Sequence, residues 1–135
     1  MATDFLARCD SIEECYEFML AYAGQGLPSD EGSPIRQFLQ RAAQALTGLC
    51  ESCSSGLTRE ETNHSGKFAP FLAVLHRDAQ DSLAAIEMVL AEPAISSQLI
   101  DNLNASIHLR ALLTDLFLIG EILRSRKHKS AGVAE

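Results

Sequence analysis

The stretch SPIRQFLQRAAQALTGLCESC, residues 33–53, decides the fold class. Ile35, Phe38, Leu39, Ala42, Leu46, Leu49, Cys50 and Cys53 recur at three- and four-residue spacing, which gathers them on one side of an α-helix. Gln37, Gln40, Arg41, Gln44 and Glu51 fall on the other side. Ser33 is placed to accept hydrogen bonds from the first free backbone N–H groups. Pro34 stands at the first helical position, where its missing N–H is no loss. The spacing predicts a helix over 34–53 with Leu39, Leu46 and Leu49 in the core.

Three more segments carry the same period. Ile12, Cys15, Tyr16, Met19, Tyr22 and Ala23 predict a helix over about 11–25, with Ser11 and Glu14 as a capping box and Gly24, Gly26 and Pro28 ending it. Phe5 and Leu6 are expected to form a short helical turn before it. Phe68, Phe71, Leu72, Leu75, Ala79, Leu83, Ile86 and Leu90 predict a third helix over about 67–91, where Pro70 is tolerated in the first turn. A fourth runs over about 95–127 with a defect near 102–106. Between the second and third lies the polar stretch 54–66. Four amphipathic segments joined by modest connections predict an all-α, antiparallel four-helix bundle, with residues 1–135 forming a single domain.

Composition narrows the function. The core palette is Leu, Ile and Ala; Trp is absent and aromatic residues make up only 6%, a composition suited to helices rather than pleated sheets. The net charge is −7, and the excess lies in the first half, with ten acids and four bases over 1–66. That field disfavours phosphate backbones, so no nucleic-acid partner is expected. The run Arg124, Arg126, Lys127 and Lys129 complements the negative end of a helix dipole. The most apolar segment, 107–123, is interrupted by Arg110, Asp115 and Glu121, so no membrane span is expected. The opening residues lack a basic stretch followed by an apolar run, and four cysteines without an export signal fit free thiols in the cytoplasm.

Candidate chemistry is sparse. Cys50 and Cys53 form a C-x-x-C, but at a helix C-terminus, where the dipole opposes the thiolate. With His64 they make a candidate zinc or redox-sensing set, although a second C-x-x-C is missing. Glu61 and His64 have the E-x-x-H spacing of a di-iron bundle without the second pair that such a site needs. His64 and Lys67 fall short of a phosphotransfer face because a glycine separates them. No serine or cysteine nucleophile motif and no glycine-rich phosphate loop is present, so an enzyme is not the expectation.

The surplus of apolar residues in the last helix carries the main functional expectation. Leu109, Leu112, Leu113, Leu116, Phe117, Leu118, Ile119, Ile122 and Leu123 cover most of a helix circumference, and such a helix needs burial on more than one side. Leu109, Leu112, Leu113, Leu116 and Phe117, with Gly120 permitting close approach, are expected to form a two-fold homodimer interface. The chain is therefore expected to be a non-enzymatic adaptor, assembly or regulatory protein that binds itself and another protein.

Overall fold

The computed structural model describes residues 2–56 and 66–134, with side chains described over 4–55 and 66–125. Among the described residues the chain is all-helical: α1 (Ala2–Ala23), α2 (Ile35–Leu46), α3 (Leu49–Gly56), α4 (Phe68–Leu90), α5 (Ser97–Ala105) and α6 (Ile107–Ala134). No helix among them is long and apolar enough to cross a membrane.

α1 begins ten residues or so earlier than the capping pair Ser11 and Glu14 suggests, and no separate turn precedes it. Phe5, Cys9, Ile12, Cys15, Met19 and Tyr22 form one unbroken stripe at helical spacing, and all six are buried. Asp10 and Ser11 fall on the outer side of that stripe and do not interrupt it. Burial of the continuous stripe outweighs a local capping preference of about 1 kcal/mol.

The segment expected as one helix over 34–53 is broken into α2 and α3. Thr47 is extended, and Gly48 takes a left-handed φ of 84°, the conformation that commonly follows a helix C-terminus. The freed carbonyls of α2 do not go unpaired. Arg8 Nη1, reaching across from α1, lies 3.2, 3.1 and 2.8 Å from the carbonyl oxygens of Gln44, Ala45 and Thr47. Asp4 steadies the guanidinium from one turn earlier at 3.2 Å, and accepts a hydrogen bond from Ser52 of α3. A cation at the negative end of α2 also complements its dipole.

The last segment breaks too, at Ser106, whose ψ of 139° ends α5. Each half then has its own serine cap: Ser96 Oγ accepts from Leu99 N at 3.0 Å, and Ser106 Oγ accepts from Leu109 N at 3.3 Å. α1 lies against α2, α3, α5 and α6, while α4 lies against α2, α3, α6 and, more lightly, α5. The core between them gathers Leu39, Leu46, Leu49, Leu75, Ile86, Ile100, Leu112 and Leu116, all buried.

One end is tied by polar bonds between the α1–α2 loop and the α4–α5 linker. The buried Tyr22 hydroxyl lies 2.5 Å from Ile95 O and 3.0 Å from Ser29 O. Ser97 Oγ donates to Tyr22 O at 2.6 Å and accepts from Leu27 N at 2.9 Å, while Ser97 N donates to Leu27 O at 2.8 Å. Asp30 accepts from Ile95 N at 2.9 Å and pairs with Arg36 at 3.1 Å. Arg36 in turn donates to the carbonyls of Leu90 and Glu92 at the end of α4. The Ile95 N–H and the Arg36 guanidinium hold the Asp30 carboxyl below its ordinary range.

Two outcomes test this construction in chemical denaturation. Leu46→Ala should cost about 2–5 kcal/mol, the loss of a buried leucine plus the cavity it leaves. Tyr22→Phe keeps the ring but strands the carbonyls of Ile95 and Ser29, and should cost about 1–3 kcal/mol. A loss below about 0.5 kcal/mol from Leu46→Ala would place that side chain at the surface.

Candidate functional site

The cysteines are the first place to look for chemistry. All four are thiols, and Cys9, Cys15 and Cys53 are buried. Burial pushes each of these three up to about 12, far from the thiolate form that attacks disulfides or binds metal. Cys50 is half-buried. Burial first, then the neighbouring Glu51 carboxylate, raises its thiol as well. Cys50 shares the lining of a cavity of about 200 Å³ with His76, between the α2–α3 break and α4. Its Sγ, however, is 3.5 Å from Leu72 O, which suits a protonated thiol donating to a carbonyl. Among the described residues, no three His, Cys, Asp or Glu side chains converge as metal ligands. His64, the third member of the candidate zinc set, lies outside the described residues, as does Glu61.

α6 is the second place. Leu109, Leu112, Leu113 and Leu116 are all buried within the chain's own core, so they leave no surface for a partner. Of the six residues expected at an interface, only Phe117 is exposed, at 54%. Gly120 is buried as well. A Cβ there would sit 3.1 Å from Arg124 Nη1 and crowd the guanidinium slightly, and Arg124 folds over this position to pair with Asp10 of α1 at 3.2 Å. The surplus apolar surface lies on the opposite side of the helix, at Ile107 (74% exposed), Leu118 (54%) and Ile122. With Ala111 these stand at i, i+4, i+11 and i+15, a single outward stripe. The apolar residues cover so much of the circumference that sequence spacing alone could not say which arc the chain keeps for itself.

α4 extends this surface. Ser82 Oγ donates to His108 O at 3.0 Å, and the Asp78 carboxyl meets that of Asp115, so α4 and α6 run antiparallel in this register. Val74, Asp78 and Asp81 share one face of α4 at i, i+4 and i+7. The register carries the exposed Val74 to the level of Leu118. Asp81 lies 3.8 Å from His108 Nδ1.

The carboxyl pair was not visible in the sequence. Asp115 is only 6% exposed, and its Oδ2 accepts no hydrogen bond from the protein. Two carboxylates cannot bond to each other; a proton shared between Asp78 and Asp115 can join them. Burial first, then that bond and the charge of Asp78, push Asp115 up to about 7. The opposite flank of α6 is also acidic. Asp10, Glu13, Glu14, Tyr16 and Glu17 of α1 line a groove of about 280 Å³ with Phe117. Burial raises Glu13, and Arg124 partly offsets this.

No protein-family model, curated protein or solved structure matches this chain.

Thiol labelling measures how the cysteines are held. Cys50 should react first and slowly with a disulfide reagent in the native state. Cys9, Cys15 and Cys53 should react only at the rate of global opening. Fast labelling of Cys53 in the native protein would mean that α3 is packed differently.

Proposed function

We propose that this is a non-enzymatic protein-interaction protein, an adaptor or assembly or regulatory factor, which pairs with a second copy of itself through the outward face of α6. The observation that carries the reading is the stripe of Ile107, Leu118 and Ile122, extended by Val74. Exposed apolar side chains at one level on two neighbouring helices mark an association surface more often than scattered ones do. A two-fold pairing is the simplest way for identical faces to cover one another. In this reading α2–α3 and α5–α6 act as two interrupted rods which, with α1 and α4, make up an antiparallel four-helix bundle that holds the face rigid. Free thiols suit a reducing compartment, the cytoplasm.

Two further features support a binding role over catalysis. The thiols are raised rather than activated. Cys50 and His76 share a cavity, but the thiol is turned to a backbone carbonyl. The competing reading, a zinc- or redox-sensing protein acting through Cys50 and Cys53, draws no support from thiols in this state.

Sedimentation equilibrium at micromolar concentration tests the pairing. The wild-type chain should exceed its 14.7 kDa monomer mass. Leu118→Glu should return it to a folded monomer with unchanged helicity, because the side chain is half in solvent. Leu116→Glu should instead unfold the chain, since it places a charge in the core. A wild-type monomer at every concentration, or a dimer indifferent to Leu118→Glu and Ile122→Glu, would remove α6 from the contact.

A further inference from the structure

At the helix start that Ser11 and Glu14 suggest, Asp10, Glu13, Glu14 and Glu17 would complement the positive end of the dipole. α1 begins instead at Ala2, so all four stand beyond its first turn, where that effect has faded. They are spaced at i, i+3, i+4 and i+7, and like charges at those spacings weaken the helix that carries them. The one base of α1, Arg8, is turned the other way, onto the carbonyls at the end of α2. Among the described residues, the only cation in ion-pair contact with the four acids is Arg124 of α6, on Asp10. Glu13, Glu14 and Glu17 have no such partner there.

The acids rim a groove rather than a flat surface. Its walls are α1 and α6, and it holds about 280 Å³, lined also by the half-buried Tyr16 and the exposed ring of Phe117. Leu20, exposed as well, stands one turn beyond Tyr16 and Glu17, so the apolar surface continues along α1. The two walls run antiparallel, since Phe117 lies level with Glu13 to Glu17 and the later Arg124 lies level with Asp10. From Asp10 to Leu20 the path along α1 is about 15 Å, close to three helical turns. Neither wall has a free backbone edge, so an extended strand would gain no ladder of hydrogen bonds there. A helix satisfies its own backbone and can lay an apolar stripe between two such walls.

We propose that this groove takes one helix of a different protein, amphipathic and basic, with aliphatic side chains against Phe117 and Leu20 and Lys or Arg over Glu13, Glu14 and Glu17. Charge complementarity selects the occupant. The rim repels an acidic helix, and a neutral one would cover carboxylates without compensating them. A basic helix supplies the counter-charges that α1 lacks, as Arg124 already does for Asp10. An Arg gains further from the faces of Phe117 and Tyr16. Phe117 is on a different flank of α6 from Leu118 and Ile122, so this contact does not rest on the self-pairing and leaves that face free. With the pairing face it gives the chain two separate surfaces, as an adaptor requires.

Fluorescence anisotropy with two labelled peptides of about 16 residues tests the proposal. Both contain the same Leu, Ala, Lys and Arg residues. In one the basic and apolar residues occupy opposite faces of a helix, and in the other their order is scrambled. The patterned peptide should bind the full chain at least about tenfold tighter than the scrambled one, and more weakly as salt rises. Phe117→Ala and the double variant Glu13→Gln/Glu17→Gln should each weaken it about tenfold. These side chains lie outside the core, so helicity should not fall, and Leu118→Glu should leave the affinity unchanged. Equal binding of the two peptides, or an affinity indifferent to Phe117→Ala, would reduce the contact to general attraction between opposite charges and overturn the inference. Absence of binding overturns it as well. If Phe117→Ala lowers the sedimenting mass of the chain alone, a second copy fills the groove and the foreign helix is ruled out. A wild-type monomer that still binds the patterned peptide removes the α6 pairing and keeps this site.

Discussion

The hydroxyl of Tyr22 on the carbonyl of Ile95 is the constraint around which this chain is arranged. Helices form from local sequence, but their order in space must be set by contacts between distant segments. Here the α1–α2 loop and the α4–α5 linker are joined by backbone atoms that have few other partners. Tyr22, Ser97, Asp30 and Arg36 satisfy those atoms one after another, with the Tyr22 and Ser97 bonds buried from water and those of Asp30 and Arg36 part-buried. Apolar packing alone tolerates sliding and rotation, whereas hydrogen bonds with fixed partners do not. The register of α1 against α5, and of α2 against the end of α4, follows from this small set of polar atoms.

Much of the fold was legible because its signal is periodic. Leu39, Leu46 and Leu49 recur at helical spacing and are buried, and the Gly24–Pro28 stretch ends α1 as its chemistry requires. The misplacements share one cause: a local signal weighed against a longer-range one. Ser11 and Glu14 resemble a helix start, yet the buried stripe from Phe5 to Tyr22 runs straight through them. Thr47-Gly48 carried a helix-ending signal that the strong apolar period around it concealed. What made the break tolerable was Arg8, nearly forty residues away, which no local reading could connect to Gln44 and Ala45.

The binding surface shows a different limit. An amphipathic helix announces its buried side, but α6 is apolar over most of its circumference, and spacing then says nothing about which arc faces inward. The choice falls to the neighbours. Leu109, Leu112, Leu113 and Leu116 are buried where α6 packs on α4, α1 and α5, and Leu118 and Ile122 are left outside. Gly120, which in sequence resembles a point of close approach to another helix, lies instead under the chain's own Arg124 guanidinium. The Asp78–Asp115 pair is harder still to foresee, since the two residues lie 37 positions apart and each alone resembles an ordinary surface acid. Only the antiparallel register of α4 and α6 makes them one group.

The Tyr22 ties also bear on how quickly the chain reaches its folded form. Helical proteins usually fold fast because most of their contacts are close in sequence. The bonds from Tyr22 to Ile95 and from Ser97 to Tyr22 instead span 73 and 75 positions. Closing a loop of that length carries an entropic penalty that grows only slowly with size, but it must be met before any of those bonds stabilises the chain. The individual helices can flicker into being within about a microsecond, while docking of the two ends waits on this search. By this reasoning the meeting of the two connecting segments, rather than the winding of any helix, is the expected slow step of folding.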